Sequence, residues 1–335
     1  MLQENLQLKK ELRFKDGKFK IALFSDIHGG KVYDKRVKRD FDAMILNLKP
    51  DLVLFSGDVF DIDAELRTEE AIRVFLDEFT EVLEKNNIPW ANVYGNHERE
   101  GSIPNAELQP IFESYPNCIS KAGPAKLRGT GNHMLPIKNT AGDKIIFNVW
   151  GFDSGCTIDI CDWEHPNFKE NELKLPDPLY NGAGYDNPKV DQVAWYYSSS
   201  EELEEYCGTK VPSIMYFHIP LPEHTVIVKN PIETGMVGEC GEKIACSELN
   251  SGLFAAALLR GDVRGIFCGH DHINDFCGTY CGIQLGYNSA LCYDCYNNDD
   301  MRGCRVFEID ESDPANYKTY CARAKDIVPG YNEKL

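Results

Sequence analysis

Five short apolar runs in this chain each end on residue types that bind metal ions. Ile21–Phe24 leads into Ser25-Asp26-Ile27-His28, and Leu52–Phe55 into Ser56-Gly57-Asp58. Ala91–Tyr94 leads into Gly95-Asn96-His97-Glu98, Ser213–Phe217 into His218, and Gly265–Cys268 into Gly269-His270-Asp271-His272. Four apolar residues in a row at Leu52–Phe55 read as a strand buried on both faces. Gly57 lets the backbone turn sharply where that strand stops. Asp58 then stands at the carboxyl end of a central strand, where open α/β sheets place their ligands. The five ends are read as converging on a pair of metal ions, with Asp58 as the bridge. Imidazole and carboxylate donors suit Zn, Mn or Fe better than Ca.

The elements that must position these ends follow from periodicity. Phe19–Phe24 reads as the first core strand. Lys35–Leu48 has helical spacing through Val37, Phe41, Met44, Ile45 and Leu48. Thr68–Lys85 has Ile72, Phe75, Leu76, Phe79 and Leu83 on one face, with Thr68 as N-cap. With Trp90–Tyr94 as the third strand, the first hundred residues read β-α-β-α-β, the pattern of a parallel sheet with crossover helices. Residues 101–145 are less regular. Lys144–Gly151, Val211–Phe217, Val263–Cys268, Gly282–Tyr287 and Arg305–Ile309 read as further strands. Val190–Tyr206 reads as a helix packing through Val193, Trp195, Tyr196 and Leu203. Ser247–Arg260 reads as another, stopped by Gly261. Cys156–Pro188 shows no periodicity, and a stretch of that length is either a functional loop at the site mouth or a surface insertion. Residues 1–18 are a polar lead-in, 19–310 one catalytic-sized domain, and 311–335 an extension packing on it.

Composition bounds the partners. The formal net charge is −18, from 53 acidic and 35 basic residues. So acidic a surface repels nucleic acid, and an anionic ligand must be drawn by a local positive site. The longest apolar run, Leu253–Leu259, is too short to span a bilayer. The first residues lack the apolar stretch of a signal peptide, and no Asn-x-Ser/Thr sequon occurs. These features point to the cytoplasm, or to a mature chain that has lost its signal. The 13 cysteines leave three readings open. They are reduced and partly buried thiols, disulfides among near neighbours such as Cys156 and Cys161 or Cys240 and Cys246, or a zinc site of Cys277, Cys281, Cys292 and Cys295.

Asp-x-His, Gly-Asp, Gly-Asn-His-Glu, a lone His and Gly-His-x-His, in that order, resemble the calcineurin-like metallophosphoesterase superfamily over residues 19–310. His218-Ile-Pro-Leu-Pro-Glu223 and Gly269-His-Asp-His-Ile-Asn-Asp-Phe-Cys277-Gly278 are similar to its purple-acid-phosphatase-like branch of plants and fungi, which includes the Dcr2-type phosphatases. The resemblance implies a four-layer α-β-β-α sandwich with a dimetal site at the carboxyl ends of the strands. It also implies a ligand set: Asp26, His28, Asp58 and His272 for one ion, and Asp58, Asn96, His218 and His270 for the other. The implied reaction is phosphate-ester hydrolysis by a metal-bridging hydroxide. His97 would stabilise the phosphoryl oxygen or protonate the leaving alkoxide, with His224 the alternative donor. Glu98 and Asp271 are expected to orient histidines. Arg99 is read as solvated, and His133 and His165 are given no role. The leading expectation is a phosphomonoesterase acting on phosphoproteins or small esters, needing two divalent ions and neither nucleic acid nor membrane. The alternatives are a phosphodiesterase, for example of cyclic nucleotides, and a metal-binding scaffold without turnover. The sequence departs from purple acid phosphatases in one respect. Asp61 stands three residues after the bridge, where they carry a tyrosinate on ferric iron, so a pair of divalent ions is expected.

Overall fold

The computed structural model describes residues 6–30, 32–60, 68–101, 103–157, 184–331 and 333. Asp61, Cys161 and His165, with most of the Cys156–Pro188 stretch, lie outside them. Two sheets face each other. The first has the order β12-β11-β2-β3-β4, formed by Lys318–Arg323, Gly303–Asp310, Lys18–Phe24, Leu52–Phe55 and Trp90–Asn92. Its β2, β3 and β4 run parallel, and β11 and β12 complete it antiparallel. The second has the order β1-β5-β6-β7-β8-β10-β9, formed by Leu12–Arg13, His133–Lys138, Ile145–Gly151, Ser213–Tyr216, Val263–Cys268, Ile283–Tyr287 and Cys277–Tyr280. Here β6, β7, β8 and β10 are parallel.

Side chains alternate across a strand, and both sheets use this to build three apolar layers. Ile21, Leu23, Leu52, Leu54, Val149, Ile214, Phe267 and Phe307 fill the space between the sheets. Ala22, Phe24, Val53 and Phe55 point the other way, onto the helices Lys35–Leu48, Glu69–Phe79 and Asn105–Glu113. Trp150, Met215, Ile266 and Leu285 do the same on the far side, against Val190–Cys207 and Leu253–Arg260. The result is the helix-sheet-sheet-helix sandwich. Burying each large apolar side chain contributes about 1.5–3 kcal/mol, so register errors that turn one strand over would be costly.

Local signals explain most boundaries. Asp34 caps Lys35–Leu48 by accepting from the Arg36 N–H at 2.9 Å. Thr68 Oγ1 accepts from the Ala71 N–H at 3.2 Å, as its capping role requires. Thr68–Lys85 is two helices rather than one. Glu69–Phe79 ends at Thr80, whose hydroxyl donates to the Leu76 carbonyl at 2.7 Å, and Glu81–Lys85 follows. The helix expected at Ser247–Arg260 begins only at Leu253, because Gly252 adopts a left-handed conformation. Gly261 ends it as expected, with φ 69°. Strand β5 was hidden by Pro136 in its middle, which β-sheets seldom tolerate.

Two histidines belong to the core. His133 Nε2 lies 2.8 Å from the Tyr216 hydroxyl, and His224 Nδ1 lies 3.1 Å from the Leu221 carbonyl. His224 is fully buried, with Nε2 beside Cys268 Sγ, so it is not the proton donor that the sequence allowed. Burial pushes both rings down to about 4. The unfolded chain therefore takes up these protons first as pH falls. Stability drops from about pH 6.5 towards pH 4, by up to about 1.4 kcal/mol per pH unit for each ring. His133→Gln is expected to reduce that slope by one proton in urea melts between pH 7 and 5. Equal slopes for variant and wild type would contradict this.

Candidate metal centre

Six of the seven ligand candidates sit just beyond the carboxyl ends of β2, β3, β7 and β8, and Asn96 follows β4. The site thus lies where both sheets end together. The backbone there is unusual. Asp26, His28, Asp58 and His270 have φ of 51°, 49°, 51° and 80°. Left-handed backbone costs a residue with a Cβ roughly 1–2 kcal/mol, and such residues cluster at functional sites. The loops are held in this form by one another. Ile27 and His28 N–H groups donate to the Asp58 carbonyl at 2.8 and 3.0 Å, and the Gly269 N–H donates to the His218 carbonyl at 3.1 Å. The His270 N–H donates to Asp26 Oδ2 at 3.1 Å.

Glycine matters at two of these turns. A Cβ on Gly57 would stand 2.5 Å from Gly95 N, and one on Gly95 would stand 2.1 Å from Asp58 Oδ1. The two turns can touch only because both lack side chains. Glu98 does a different job from the one expected. Its carboxylate accepts from the N–H groups of Gly95, Asp58 and Val59 at 2.8, 3.0 and 2.6 Å. It orients the Asp58 loop, not a histidine. Burial, then the neighbouring Asp58 carboxylate, raises its pKa to about 7. Asp271 likewise orients no imidazole among the described residues; Oδ2 accepts from the Tyr287 hydroxyl at 2.6 Å and the Ala245 N–H at 3.1 Å.

The side chains converge in two clusters. In one, His218 Nε2 lies 2.9 Å from Asp58 Oδ2, 3.1 Å from Asn96 Oδ1 and 3.3 Å from His270 Nδ1. In the other, His272 Nε2 lies 3.2 Å from His28 Nε2 and 3.4 Å from Asp26 Oδ1. Asp58 also falls within 4.8 Å of a ring nitrogen of His28 and of His97, so it faces both clusters. All seven are buried.

The donor chemistry fits cations. His218 Nδ1 lies 3.0 Å from the Ser56 carbonyl, so that nitrogen carries the ring proton and Nε2 presents a lone pair. His272 Nδ1 donates to the Tyr296 carbonyl at 2.7 Å, with the same result. His218 Nε2 then faces carboxylate and amide oxygens, and His272 Nε2 a carboxylate oxygen, all of them acceptors. Lone pairs facing lone pairs in a buried site need a positive charge between them. A proton supplies it when no metal does: burial lowers the His218 pKa, but the Asp58 carboxylate more than offsets this and leaves it raised to about 9. His270 Nε2 is buried without a hydrogen-bond partner among the described residues.

His97 differs from the seven ligand candidates in its access to solvent, with 30% of its side chain exposed. Its N–H donates to Asp58 Oδ1 at 2.9 Å, its Nε2 lies 4.0 Å from Asp58 Oδ2, and its Nδ1 lies 3.4 Å from Glu100 Oε2. Arg99 Nη2 stands 4.0 Å from Asp153, half-exposed.

Cysteines hold a surprise. All twelve among the described residues are free thiols, so no near-neighbour disulfide joins them. No four-cysteine group forms among the described residues either. Instead Cys295 gathers with His28 and His272. No local signal foretells this, because Cys295 follows no strand end and its Cys-x-x-Cys spacing suggests a zinc site of its own.

Residues 19–274 match the family model described as calcineurin-like phosphoesterase. Probable inactive purple acid phosphatase 29 of Arabidopsis thaliana is 29% identical, over 90% of this chain and 79% of its own length. Phosphatase DCR2 of Saccharomyces cerevisiae is also 29% identical, over 78% of this chain but 45% of its own length. A dimetal phosphatase from Danio rerio superposes with a TM-score of 0.57 at 13% identity, covering 90% of this chain and 98% of that one. The last likeness is one of fold.

Proposed function

We propose that this chain, which belongs to the calcineurin-like phosphoesterase family, hydrolyses phosphomonoesters. Asp26, His28, Asp58 and His272 hold one divalent ion; Asp58, Asn96, His218 and His270 hold the other. The observation that carries this reading is the pair of acceptor clusters that share Asp58. Two divalent ions bound there activate water and polarise the phosphoryl group. Asp26 and Asp58 offset only part of the ions' charge, so the site stays positive on a molecule of net charge −18 and draws the anionic ester.

The remaining work belongs to the protein. Ring partners at Ser56 and Tyr296 fix which nitrogen of His218 and His272 faces the cluster. Glu98 holds the Asp58 turn, so the bridging carboxylate does not reorganise during turnover. His97 stands at the open side. Its Nδ1 lies 3.4 Å from Glu100 Oε2, and the ring serves as the donor to the departing oxygen.

His97→Ala is expected to lower kcat by about 10²–10⁴-fold on an alkyl phosphate while two metals remain bound. Nitrophenyl phosphate, whose leaving group needs little protonation, should lose much less. An equal loss on both esters would make His97 an electrostatic stabiliser instead of a donor. Nitrophenyl phosphate against bis-nitrophenyl phosphate tests the choice of monoester; faster diester turnover overturns it. Three plant relatives are named probable inactive phosphatases, which favours a second reading, a metal-binding scaffold. Two bound metals with hydrolysis of neither ester would establish that reading.

A further inference from the structure

We propose that Cys295 is a ligand of the first metal ion, binding as a thiolate beside His28 and His272. The inference rests on the dimetal reading above. Cys295 Sγ lies within 4.8 Å of a ring nitrogen of His28 and of a ring nitrogen of His272, and the Nε2 atoms of the two histidines are 3.2 Å apart. Zinc–sulfur and zinc–nitrogen bonds of ~2.3 and ~2.1 Å put two donors on one ion up to roughly 4.4 Å apart. A 4.8 Å bound exceeds that span by only a few tenths of an ångström, so the sulfur and the two rings are spaced as donors to one ion would be.

The loop that carries Cys295 is anchored to the ligands on both sides. Before it, the Cys292 N–H donates to the Asp26 carbonyl at 3.0 Å. After it, Tyr296 accepts the His272 Nδ1 proton and lays its ring flat on the His272 ring, centroids 4.3 Å apart and planes 6° apart. Arg302 Nε donates to the Cys292 carbonyl at 2.7 Å and fixes the loop from behind. Cys295 is thus presented to the first cluster by contacts with two of its candidate ligands. Cys292 is not a rival. It is buried, and its Sγ lies 3.6 Å from His272 Nδ1, the nitrogen turned away from the metal.

The consequence is an asymmetric pair. The first site gains a soft, anionic donor, whereas Asp58, Asn96, His218 and His270 offer only nitrogen and oxygen. Thiolate selects zinc, cobalt or iron over manganese and magnesium at that site. A coordinating thiol loses its proton outright on binding. The sulfur donor thus comes to the first site from a segment more than two hundred residues after Asp58.

Cobalt titration of the metal-free, reduced full-length protein tests this. Ligand-field absorption reports occupancy by two ions, and thiolate-to-cobalt charge transfer in the near ultraviolet reports sulfur ligation. The expected result is a charge-transfer band in the wild type and in Cys292→Ser, and its loss in Cys295→Ser with two cobalt ions still bound. X-ray absorption of the zinc-loaded wild type should show one sulfur at ~2.3 Å averaged over two metals, which needs no variant to fold. Two cobalt ions with no charge-transfer band overturn the ligand but leave the dimetal reading standing. No cobalt binding overturns both. A Cys292–Cys295 disulfide in the metal-loaded protein also overturns the proposal.

Discussion

Asp58→Asn is expected to remove activity and lower metal content together. Among the described residues, Asp58 faces both clusters, 2.9 Å from His218 Nε2 and within 4.8 Å of a ring nitrogen of His28. Two divalent ions ~3.5–4 Å apart repel by on the order of 20 kcal/mol at an effective dielectric near 20. A shared anionic oxygen pair offsets much of that, and a neutral amide does not. The turn itself should survive, because Glu98 holds it through backbone N–H groups that the substitution leaves in place. The variant should therefore fold, with unchanged near-ultraviolet circular dichroism, yet carry fewer than two metals after gel filtration. Two metals and normal turnover in Asp58→Asn would remove the residue from the centre of the site.

Gly95→Ala is expected to do nearly as much damage without touching a ligand. Its backbone is compatible with alanine, so no conformational strain is introduced. The added methyl, however, would sit 2.1 Å from Asp58 Oδ1 and 2.7 Å from Asp58 N. Backbone on one side and the Asp58 carboxylate on the other leave the carboxylate as the group that moves. A misplacement of about 1 Å costs about 10²-fold in rate, and the loss should appear in kcat and in affinity for the metals. Gly30→Ala is the control. It lies two residues from His28, but its Cβ would meet only the Val32 carbonyl at 3.6 Å, and it should behave as wild type. Similar behaviour of the two variants would mean that the Gly95 contact does not position Asp58.

The strand ends were legible because each couples two independent signals, a short apolar run and a ligand residue type directly after it. Helix Lys35–Leu48 was legible to the residue from its apolar spacing, and the structure adds the Asp34 cap and the left-handed Lys49 at its ends. Strands β9 and β12 were missed. Cys277–Tyr280 and Lys318–Arg323 are edge strands whose residues alternate without a long apolar run, so pairing, not periodicity, defines them. The roles of Glu98 and Asp271 were misread for a related reason. A carboxylate beside a histidine in sequence need not touch it in space, and Glu98 turns back on the Asp58 loop instead. Cys295 reaches the site through a fold-level contact between the loop after β10 and the turn after β2, which no local pattern encodes.

The most direct test of the dimetal account is a titration of metal-free protein with zinc or manganese, following nitrophenyl phosphate hydrolysis against equivalents bound. The account predicts saturation at two ions per chain, with activity appearing as the second equivalent fills. Full activity at one ion, or no binding at the His218 and His272 clusters, would contradict it.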